Sequence, residues 1–562
     1  MKRARMTEWF SPLELVRHAP DVLVSLLMGR RADPRLVEAL AVPDAGVEDC
    51  SRDEADQPLQ EIWLDYVADS GDGWDSTYAV ASAVAQPALT LRDSKGVVHP
   101  TDRGSVLVFG GDQIYPSPSR KRYKQKFVRP FETALGWTES PHPKAFAIPG
   151  NHDWYDGLVA FTRLFCSRDW VGGWQTPQRQ SYFALKLPQH WWLIGTDVQL
   201  GSDLDQPQID FFRRVADEME AEDRVILCTA EPHWIYAHLY EKYDKDVYRE
   251  SNLRFLEEEI LRKGKKHGGR VEVFLSGDLH HYRRHESAEG KQKITAGGGG
   301  AALHPTHGLD VSELSDGFRL KAAFPPKNVS ARLTWQNLVF AVRNPTFGFL
   351  TAFLYLMASW TVMADVNHLG WRDAGQVAAI VARQVLARPN AFFWVVGIFL
   401  VFVLFTETHS PVYRFVAGSL HGLAHLAAAY FLGWGAAYFA SGLGYRFGSV
   451  PYLLWCGLIV FVGGYVIGAS LLGVYLLLSL NVFRRHSEEA FAALRIPDWK
   501  NFLRMRIDRE GCLTIFPIGI RRVPRRWKPR EVADSGPELI TDDPRSTAPE
   551  LIEDPIRVGE EA

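Results

Sequence analysis

The sequence predicts an α/β domain, followed by an all-α transmembrane domain of four helices and a small cytosolic C-terminal hairpin region. Short apolar runs that end in turns between residues 60 and 300 indicate buried strands. Four long uncharged segments between residues 345 and 483 indicate the membrane helices. Alternating polarity around a Gly turn at residues 502–516 indicates the hairpin. With 562 residues, the chain is too long for one ordinary domain.

The overall composition excludes several classes of protein. Hydrophobic residues make up 46% of the chain and charged residues 23%, and the net charge is −3. These values argue against a wholly disordered chain, a collagen-like chain and a strongly basic nucleic-acid-binding protein. The mean hydropathy of −0.13 is an average over a polar and an apolar region. The five cysteines form no CxxC pair, which argues against a disulfide scaffold and fits a reducing compartment.

The α/β region is predicted to span residues 60–320, after an N-terminal helical extension at residues 1–59. Its apolar runs alternate with helical stretches near residues 207–222 and 251–263. The N-terminus lacks the apolar core of a signal peptide. Because open α/β sheets place functional side chains at the carboxyl ends of their strands, the turns at these ends form the candidate site.

Five of these turns carry oxygen or imidazole groups directly after a predicted strand. Carboxylate, amide and imidazole ligands together suit Mn, Fe, Zn or Mg rather than metals that prefer thiolates. Glycines in the turns allow the backbone to bend sharply at the sheet edge. The turns are residues 69–72, 111–115, 150–153, 231–233 and 277–282.

These turns resemble those of the calcineurin-like metallophosphoesterase superfamily, over about residues 60–300. The GNHD sequence at 150–153 is the most specific match, and the turns at 69–71 and 111–115 resemble the purple acid phosphatase variant. The resemblance implies a β-sandwich flanked by helices, with two divalent metal ions (Mn, Fe, Zn or Mg) at the sheet edge. It also implies an enzyme, a metallophosphoesterase that hydrolyses a phosphate ester with a hydroxide bound to the two metals.

The same resemblance implies the metal ligands. Asp69 and His280 would hold the first metal, Asp112 would bridge both metals, and Asn151 would hold the second. Tyr115 would either bind the first metal or only pack beside it. A bridging carboxylate suits the separation of about 3.5–4 Å that two metals need to clamp a phosphoryl group.

The GNHD turn also implies the catalytic residues. His152 would protonate the leaving oxygen or stabilise the transition state, and Asp153 would assist it. A histidine has a pKa near neutral, which suits it to the role of an acid.

Two turns depart from the family pattern. The fifth turn has Asp278 where the family has His, and an Asp can also bind a metal through oxygen. The fourth turn has Ala230 where the family has His. Either Glu231 or His233 supplies the missing ligand, or neither does and the second metal site is weak.

Further residues near the turns have two interpretations each. Asp72 and Asp75 either support the metal ligands or are loop carboxylates of the kind that turns favour, and His281 is a further candidate ligand. The four glycines at 297–300 either let backbone N–H groups approach a phosphate or form a flexible turn. They are not part of a GxxxxGK[ST] loop, which disfavours that class of nucleotide triphosphatase.

The membrane domain is predicted at residues 345–483. A span needs about 20 mostly apolar residues, which predicts four transmembrane helices, although a large buried helical core is the alternative. The segment GQVAAIVARQVL within 365–388 could lie along the interface as an amphipathic helix. The uncharged segments are 347–364, 389–406, 415–445 and 447–483.

Charge after the last span sets the predicted topology. Residues 484–530 contain 13 Lys and Arg against 5 Asp and Glu, and positive residues stay in the cytosol. An even number of spans then places the N-terminal catalytic domain in the cytosol too, in a multi-pass protein of the cell membrane. Residues 531–562 contain 10 acidic and 2 basic residues and are predicted to be a disordered acidic tail.

Ionisable residues lie within or beside the predicted spans. His421 and His425 are four residues apart in the third span and share a helix face. Glu407 and His409 lie at the end of the second span, and His486 lies just after the fourth. Since ionisable groups inside a membrane are costly, these residues form either a metal or proton site or neutral interhelical hydrogen bonds.

The sequence therefore predicts a membrane-anchored, metal-dependent phosphoesterase. The expected partners are the lipid bilayer and a phosphate ester, for which the membrane suggests a lipid phosphate or another membrane-adjacent substrate. The alternative is a membrane sensor or transport protein whose phosphoesterase-like domain binds metal or ligand without turnover. The altered fourth and fifth turns motivate that alternative, and the spans could also be an anchor alone.

Overall fold

The computed structural model divides the chain into two units. The α/β unit lies within residues 1–7, 17–330 and 495–562, and the helical unit lies within 8–16 and 331–494. Most of the predicted N-terminal extension, at residues 18–45, lies outside the described residues. The structure describes residues 3–14, 16–17, 46–137, 142–167, 170–199, 203–240, 251–363, 373–406, 410–530 and 536–559.

Strands form where the Val-, Ile-, Leu- and Phe-rich runs predict them. The first fifteen strands described are β1 (Glu48–Asp49), β2 (Ile62–Val67), β3 (Ala88–Arg92), β4 (Val98–Asp102), β5 (Val106–Gly110), β6 (Lys144–Ile148), β7 (Trp170–Val171), β8 (Trp174–Gln175), β9 (Phe183–Leu187), β10 (Trp191–Gly195), β11 (Arg224–Thr229), β12 (Arg270–Ser276), β13 (Tyr282–Glu286), β14 (Gln292–Ala296) and β15 (Arg319–Phe324). After the helical unit come β16 (Lys500–Ile507), β17 (Leu513–Ile520), β18 (Trp527–Pro529), β19 (Leu539–Thr541), β20 (Glu550–Leu551) and β21 (Ile556–Val558).

Two mixed sheets organise the described part of the α/β unit. One has the order β1-β9-β10-β11-β12-β14-β13-β15, and the other has the order β20-β17-β16-β2-β5-β6-β8-β7, with β21 beside β17. One hydrophobic core contains side chains from both sheets, such as Val108, Phe146, Leu193 and Val273. Strands β2, β5 and β6 are parallel neighbours, as are β10, β11 and β12. The carboxyl ends within each parallel group therefore meet at one edge.

Helices of the α/β unit connect these strands. Both stretches predicted to be helical, 207–222 and 251–263, contain helices. The helices are α1 (Trp74–Val84), α2 (Arg120–Arg122), α3 (Arg129–Ala134), α4 (Asn151–Trp154), α5 (Val159–Phe165), α6 (Gln206–Glu218), α7 (His233–Tyr240) and α8 (Ser251–Phe255), with π-helical stretches at Tyr123–Val128 and Leu256–Ile260 and a 3-10 turn at Leu261–Lys263.

The predicted C-terminal hairpin is confirmed, but it belongs to the α/β unit and is not a separate region. β16 pairs antiparallel with β17 and also with β2, which places Arg504 opposite Asp65. Arg504 donates two hydrogen bonds to the Asp65 carboxylate, at 2.7 and 3.1 Å, and both side chains are buried. A local sequence pattern predicts the hairpin but cannot predict this pairing with β2.

The prediction of a disordered tail is wrong for residues 536–559. β21 pairs with β17 and buries Ile556 and Val558. Glu553 accepts hydrogen bonds from Tyr282 and Arg284 at 2.6–2.9 Å. The acidic composition misled because these carboxylates have fixed partners in the fold; residues 531–535 and 560–562 lie outside the described residues.

The helical unit contains long apolar helices. The segment GQVAAIVARQVL at residues 375–386, predicted to lie along the interface, is part of a helix, α12 (Ala374–Ala387). The helices that begin at residue 327 are α9 (Lys327–Thr334), α10 (Phe340–Arg343), α11 (Pro345–Met363), α12 (Ala374–Ala387), α13 (Pro389–Phe405), α14 (Pro411–Gly442), α15 (Val450–Gly463), α16 (Ala469–Phe483) and α17 (Ser487–Ala492), with a 3-10 stretch at Trp335–Val339 and a π-helical stretch at Gly464–Gly468.

Length and apolar composition allow two to four membrane spans among the described residues. Pro411–Gly442 and Val450–Phe483 each qualify alone. Two bent pairs bring the number to four if each pair counts as one span. These helices are consistent with membrane association, while the four-helix count and the topology stay predictions. The bent pairs are Lys327–Arg343 with Pro345–Trp360, at 62°, and Ala374–Ala387 with Pro389–Phe405, at 103°.

Candidate functional site

Three aspartates at strand ends adopt the left-handed backbone conformation. Asp69 follows β2 with φ 55°, Asp112 follows β5 with φ 51°, and Asp278 follows β12 with φ 68°. This conformation costs an L-residue roughly 1 kcal/mol or more, although Asp tolerates it better than most side chains. The fold thus bends the chain sharply at three carboxylates, all of them predicted metal ligands.

The hydroxyl of Tyr115 is the point where the predicted first-metal ligands meet. Its oxygen lies 3.0 Å from Asp69 Oδ1, 3.0 Å from Asp112 Oδ2 and 2.9 Å from His280 Nε2. His280 Nδ1 lies 2.7 Å from the carbonyl oxygen of Ala302, so Nδ1 carries the proton and Nε2 is an acceptor. Three acceptors therefore surround a phenol that has one proton to donate.

Burial makes this convergence electrostatically unfavourable without added positive charge. Desolvation raises the pKa of Asp69 well above its usual range, and the nearby Asp112 and Asp278 carboxylates raise it further. Desolvation together with Asp278 raises the pKa of Asp112 to about 8. Burial also lowers the pKa of His280, which keeps its imidazole neutral. The site must hold either protons or cations to compensate the carboxylates.

The residues fit a divalent cation in their chemistry. Asp69 Oδ2 and Asn151 Oδ1 are buried atoms that make no hydrogen bond of good geometry with the described residues. The carbonyl of Ala302 orients His280 as backbone carbonyls orient metal-binding histidines. In the part of the chain that the structure describes, no group of three or more His, Cys, Asp or Glu side chains is arranged so that it could hold a metal ion. The hydroxyl of Tyr115 stands among these ligands.

The GNHD turn places its residues against Asp112. A Cβ on Gly150 would lie 2.1 Å from Asp112 Oδ1, so only glycine allows this approach. The backbone N–H of His152 donates to the same oxygen at 2.9 Å. His152 Nδ1 lies 2.6 Å from the carbonyl of Pro116, so Nδ1 carries the proton and Nε2 is the acceptor nitrogen of the neutral ring.

The Asp153 side chain contacts two of the five turns. Its fully buried carboxylate accepts from the backbone N–H groups of Gly150 at 2.9 Å and Gln113 at 3.2 Å, and from Tyr123 at 2.5 Å. The Pro116 carbonyl, and not Asp153, accepts the proton of His152 Nδ1. Asp153 therefore holds two of the five turns together, and its expected assistance to His152 stays a prediction.

Residues of the fourth and fifth turns each make different contacts. Tyr236 donates a short hydrogen bond to Asp278 Oδ2. A Cβ built on Gly111 would lie 3.0 Å from the methyl carbon of Ala230, so Ala230 packs closely against the second turn. Burial lowers the pKa of His233 to about 4, and its Nε2 is buried without a hydrogen-bond partner among the described residues.

Two other candidates, Asp72 and Asp75, make contacts with the N-terminal segment. Asp72 accepts from the backbone and hydroxyl of Thr7, at 2.7 and 2.6 Å, which fixes the N-terminal segment. Asp75 pairs with Arg3 at 2.5 Å. His281 is fully buried, and burial lowers its pKa.

Sequence reasoning missed several residues near the aspartates. The ring of Tyr155, two residues after Asp153, makes an edge contact with the ring of His152, with centroids 5.0 Å apart. Burial, together with the Asp112, Asp278 and Glu231 carboxylates, raises the pKa of Tyr155. Lys500, from the C-terminal strand β16, is fully buried, and Asp69 is among the carboxylates that act on it. The sequence gives no signal for Lys500, because it is far along the chain.

The helical unit contains a separate polar cluster. His425 Nε2 lies 3.1 Å from His421 Nε2, and His425 Nδ1 lies 2.9 Å from the hydroxyl of Tyr355. His486 Nε2 lies 3.1 Å from the hydroxyl of Tyr475, whose ring stacks on His421 with centroids 4.1 Å apart. The structure thus brings three of the five predicted residues, His421, His425 and His486, into one region. Glu407 and His409 lie outside the described residues.

Comparison with known proteins gives only distant likenesses. No protein-family model matches the chain, and no curated protein matches it significantly. Among solved structures it is similar to GAP50, the anchor in the inner membrane complex of Plasmodium, with 15% identity, 46% of this chain and 78% of that chain covered, and a TM-score of 0.33. It is also similar to PhoD, with 9% identity, 43% and 58% covered, and a TM-score of 0.27. The residues of the site carry the functional inference.

Proposed function

We propose that this protein is a membrane-associated, metal-dependent phosphoesterase. The observation that supports this most directly is the convergence of Asp69, Asp112 and His280 on the Tyr115 hydroxyl, within 3.0 Å. Three buried acceptors around one proton are costly in an ordinary core and are the arrangement that a cation compensates. The GNHD turn, held against Asp112, adds an imidazole beside the same carboxylate.

The residues divide into two groups of proposed ligands. Asp69, His280 and Tyr115 would hold one divalent ion, Asp112 would bridge, and Asn151 would contribute to a second. Bound divalent ions supply a nucleophile at neutral pH and neutralise charge on the phosphoryl oxygens. The ligand expected from the fourth turn stays a proposal, with His233 and Glu231 as candidates beside Asp278.

His152 is the proposed proton donor to the leaving oxygen. The Pro116 carbonyl holds the proton on Nδ1 and fixes the ring, which leaves Nε2 as the nitrogen that gains and loses a proton. Asp153 acts at a distance, because its carboxylate fixes the turn from which His152 projects. The chain therefore positions the imidazole through backbone contacts.

The membrane helices suggest where the substrate is found. Two to four apolar spans would keep the α/β unit close to a bilayer. A lipid phosphate or another membrane-adjacent phosphate ester is the proposed substrate, and the cell membrane, with both chain ends in the cytosol, is the proposed location.

Purified full-length protein in detergent tests the proposal. The metal content would be measured by elemental analysis, and phosphate release would be screened with an aryl phosphate, nucleotides, sugar phosphates and lipid phosphates in the presence of Mn, Fe, Zn or Mg. Metal-dependent release supports the proposal, and faster release from lipid phosphates supports the membrane substrate. Well-folded protein that releases no phosphate with any of these metals contradicts it.

A sensor or transport protein that binds metal or ligand without turnover is the second candidate. It is favoured by the methyl group of Ala230, which packs near Gly111 where the family places an imidazole. Tight metal binding together with absent hydrolysis in the same screen is the result that this candidate predicts.

A further inference from the structure

The glycine run at 297–300 packs against the turn that contains Asp69. The backbone N–H of Gly299 donates to the carbonyl of Ala68 at 2.8 Å, and that of Ala301 donates to the carbonyl of Asp69 at 2.8 Å. Two consecutive residues of the β2 turn are thus tied to the run through their backbones. Neither interpretation from the sequence, a phosphate loop or a flexible turn, describes these contacts.

Close packing explains why these positions are glycine. A Cβ on Gly297 would lie 2.1 Å from Asp69 Oδ2, and a Cβ on Gly298 would lie 2.0 Å from Asn501 Nδ2. The backbone N–H of Asn501 in turn donates to the carbonyl of Gly298 at 3.0 Å. The run is therefore a fixed connection between the Asp69 turn and the first residues of β16.

Lys500 secures the far end of this connection. Its side chain is fully buried, and its Nζ donates to the carbonyl of Ala301, the residue whose N–H binds the Asp69 backbone. Burial lowers the pKa of Lys500 to about 8, while the nearby carboxylates, Asp498 first and then Asp72 and Asp69, oppose that shift. The C-terminal strand thus places a buried cation behind the candidate metal ligand.

We propose that Lys500 is a positioning residue that acts through Ala301 and the glycine run to fix the Asp69 carboxylate for cation binding. This inference rests on the proposed function, because it takes Asp69 to be a metal ligand. It also means that residues far beyond the helical unit in sequence complete the site.

Hydrogen exchange of metal-free, full-length protein tests the contact itself. Lys500→Met should raise exchange of the amides in residues 295–303 without loss of protection elsewhere. Lys144→Met is the control, because it removes a partly exposed lysine of β6 that pairs with Glu48 and not with Ala301. Unchanged protection of 295–303 in Lys500→Met would overturn the inference.

Titration with Mn²⁺ tests the consequence for the site. Groups that orient metal ligands typically change affinity by about 10- to 100-fold, so Lys500→Met should weaken Mn²⁺ binding by at least about tenfold. Gly297→Ala should weaken it similarly, because its Cβ would displace the Asp69 carboxylate. Gly136→Ala is its control, since a Cβ there meets no atom within 4 Å.

The outcomes separate the two claims. A wild-type protein that neither binds Mn²⁺ nor hydrolyses any ester overturns the proposed function, and the inference with it. A binding-competent wild type whose Lys500→Met and Gly297→Ala variants bind Mn²⁺ equally well overturns the inference alone. If Lys500→Met does not fold, Lys500→Gln, which keeps a shorter donor, is measured in the same two ways.

Discussion

At the scale of single residues, the site depends on carboxylates that the fold places where water cannot solvate them. Asp69 is completely buried and Asp112 is 3% exposed, yet the two share one phenol proton with His280. Such an arrangement is unfavourable for folding and favourable for binding a cation. Site residues of this kind respond to substitution, pH and metal in ways that ordinary core residues do not.

Replacing Asp112 should abolish the site with little effect on the rest of the molecule. Asp112→Asn keeps the shape but removes the charge proposed to bridge two metals, and it places an amide N–H₂ near donors that need an acceptor. We expect metal content and kcat/KM for an aryl phosphate to fall by at least about 100-fold. The control is Asp102→Asn, an exposed carboxylate in β4, which should leave both unchanged.

The aspartates should also give metal-free protein an unusual pH dependence. Burial raises the pKa of Asp112 to about 8 and that of Asp69 well above its usual range, so the folded form keeps protons that the unfolded chain has lost near pH 4. Stability should therefore fall from pH 6.5 to 8, by up to about 1.4 kcal/mol per pH unit for each proton. Buried histidines oppose this trend near pH 6.5, where the unfolded chain still holds part of its imidazole protons, and Lys500, whose pKa is lowered to about 8, opposes it near pH 8. The contribution of Asp112 is therefore the difference in pH dependence between the wild type and Asp112→Asn.

Thermal unfolding of metal-stripped protein at pH 6.5, 7.2 and 8 measures this effect. The Tm should decrease with pH, the decrease should be smaller in Asp112→Asn, and added Mn²⁺ should reverse it. A pH dependence of Tm that is the same in the wild type and in Asp112→Asn would contradict the electrostatic description of the site.

At the scale of secondary-structure elements, pairing between distant strands decides much of the stability. β16 lies beside β2, and the pair Arg504–Asp65 is buried within that contact. Removal of one partner of a buried ion pair typically costs about 3–5 kcal/mol, because the other charge stays without compensation. We therefore expect Arg504→Met to lower the free energy of unfolding by about 3–5 kcal/mol.

A double-mutant cycle measures that interaction. Asp65→Asn combined with Arg504→Met should be more stable than the sum of the single variants predicts, since no unpaired charge remains. Strictly additive effects on Tm would show that the two side chains do not interact.

In the helical unit, the histidine pair of α14 joins two helices. His425 contacts His421 within α14 and the hydroxyl of Tyr355 in α11. If the pair serves only as an interhelical hydrogen bond, His425→Leu should cost about 0.6–2 kcal/mol and leave phosphate release unchanged. Activity that is lost while Tm stays constant would instead favour a metal or proton site in this cluster.

At the scale of the whole molecule, the C-terminal region is part of the unit that contains the site. Residues 500–520 contribute strands β16 and β17 to the sheet that contains β2, and β21 pairs with β17. Truncation after residue 535 removes the buried Ile556 and Val558 and the contacts of Glu553, so it should lower Tm clearly while the fold persists.

Truncation after residue 494 is the stronger change. It exposes the edge of β2 and removes Arg504 and Lys500, and it should yield aggregated protein. Size-exclusion chromatography in detergent, together with Tm, compares both truncations with the full chain. A soluble, metal-binding protein that ends at residue 494 would contradict the role assigned to this region.

The sequence by itself determined the local features of this protein. Strand runs, Gly- and Asp-rich turns and uncharged segments are local patterns, so they predicted the α/β region, the C-terminal hairpin and apolar helices. Five turns with oxygen or imidazole groups predicted where the candidate site lies, and their family resemblance implied Asp69, Asp112 and His280 as metal ligands, which stays a prediction. The predictions of strands, of the hairpin and of apolar helices succeed because the hydrophobic period and the turn residues are properties of neighbouring residues.

Only the tertiary structure decided what joins residues far apart in the chain. Composition predicted a disordered tail, yet Glu553 binds Arg284, which lies 269 positions earlier in the chain. A carboxylate that is paired with a fixed cation can be ordered and partly buried, whereas an unpaired one stays in water. The role of Asp153 in holding two turns, and the burial of Lys500 behind Asp69, also follow from packing. Chain topology, and not local propensity, sets such contacts, so they become visible only when the sheet is assembled.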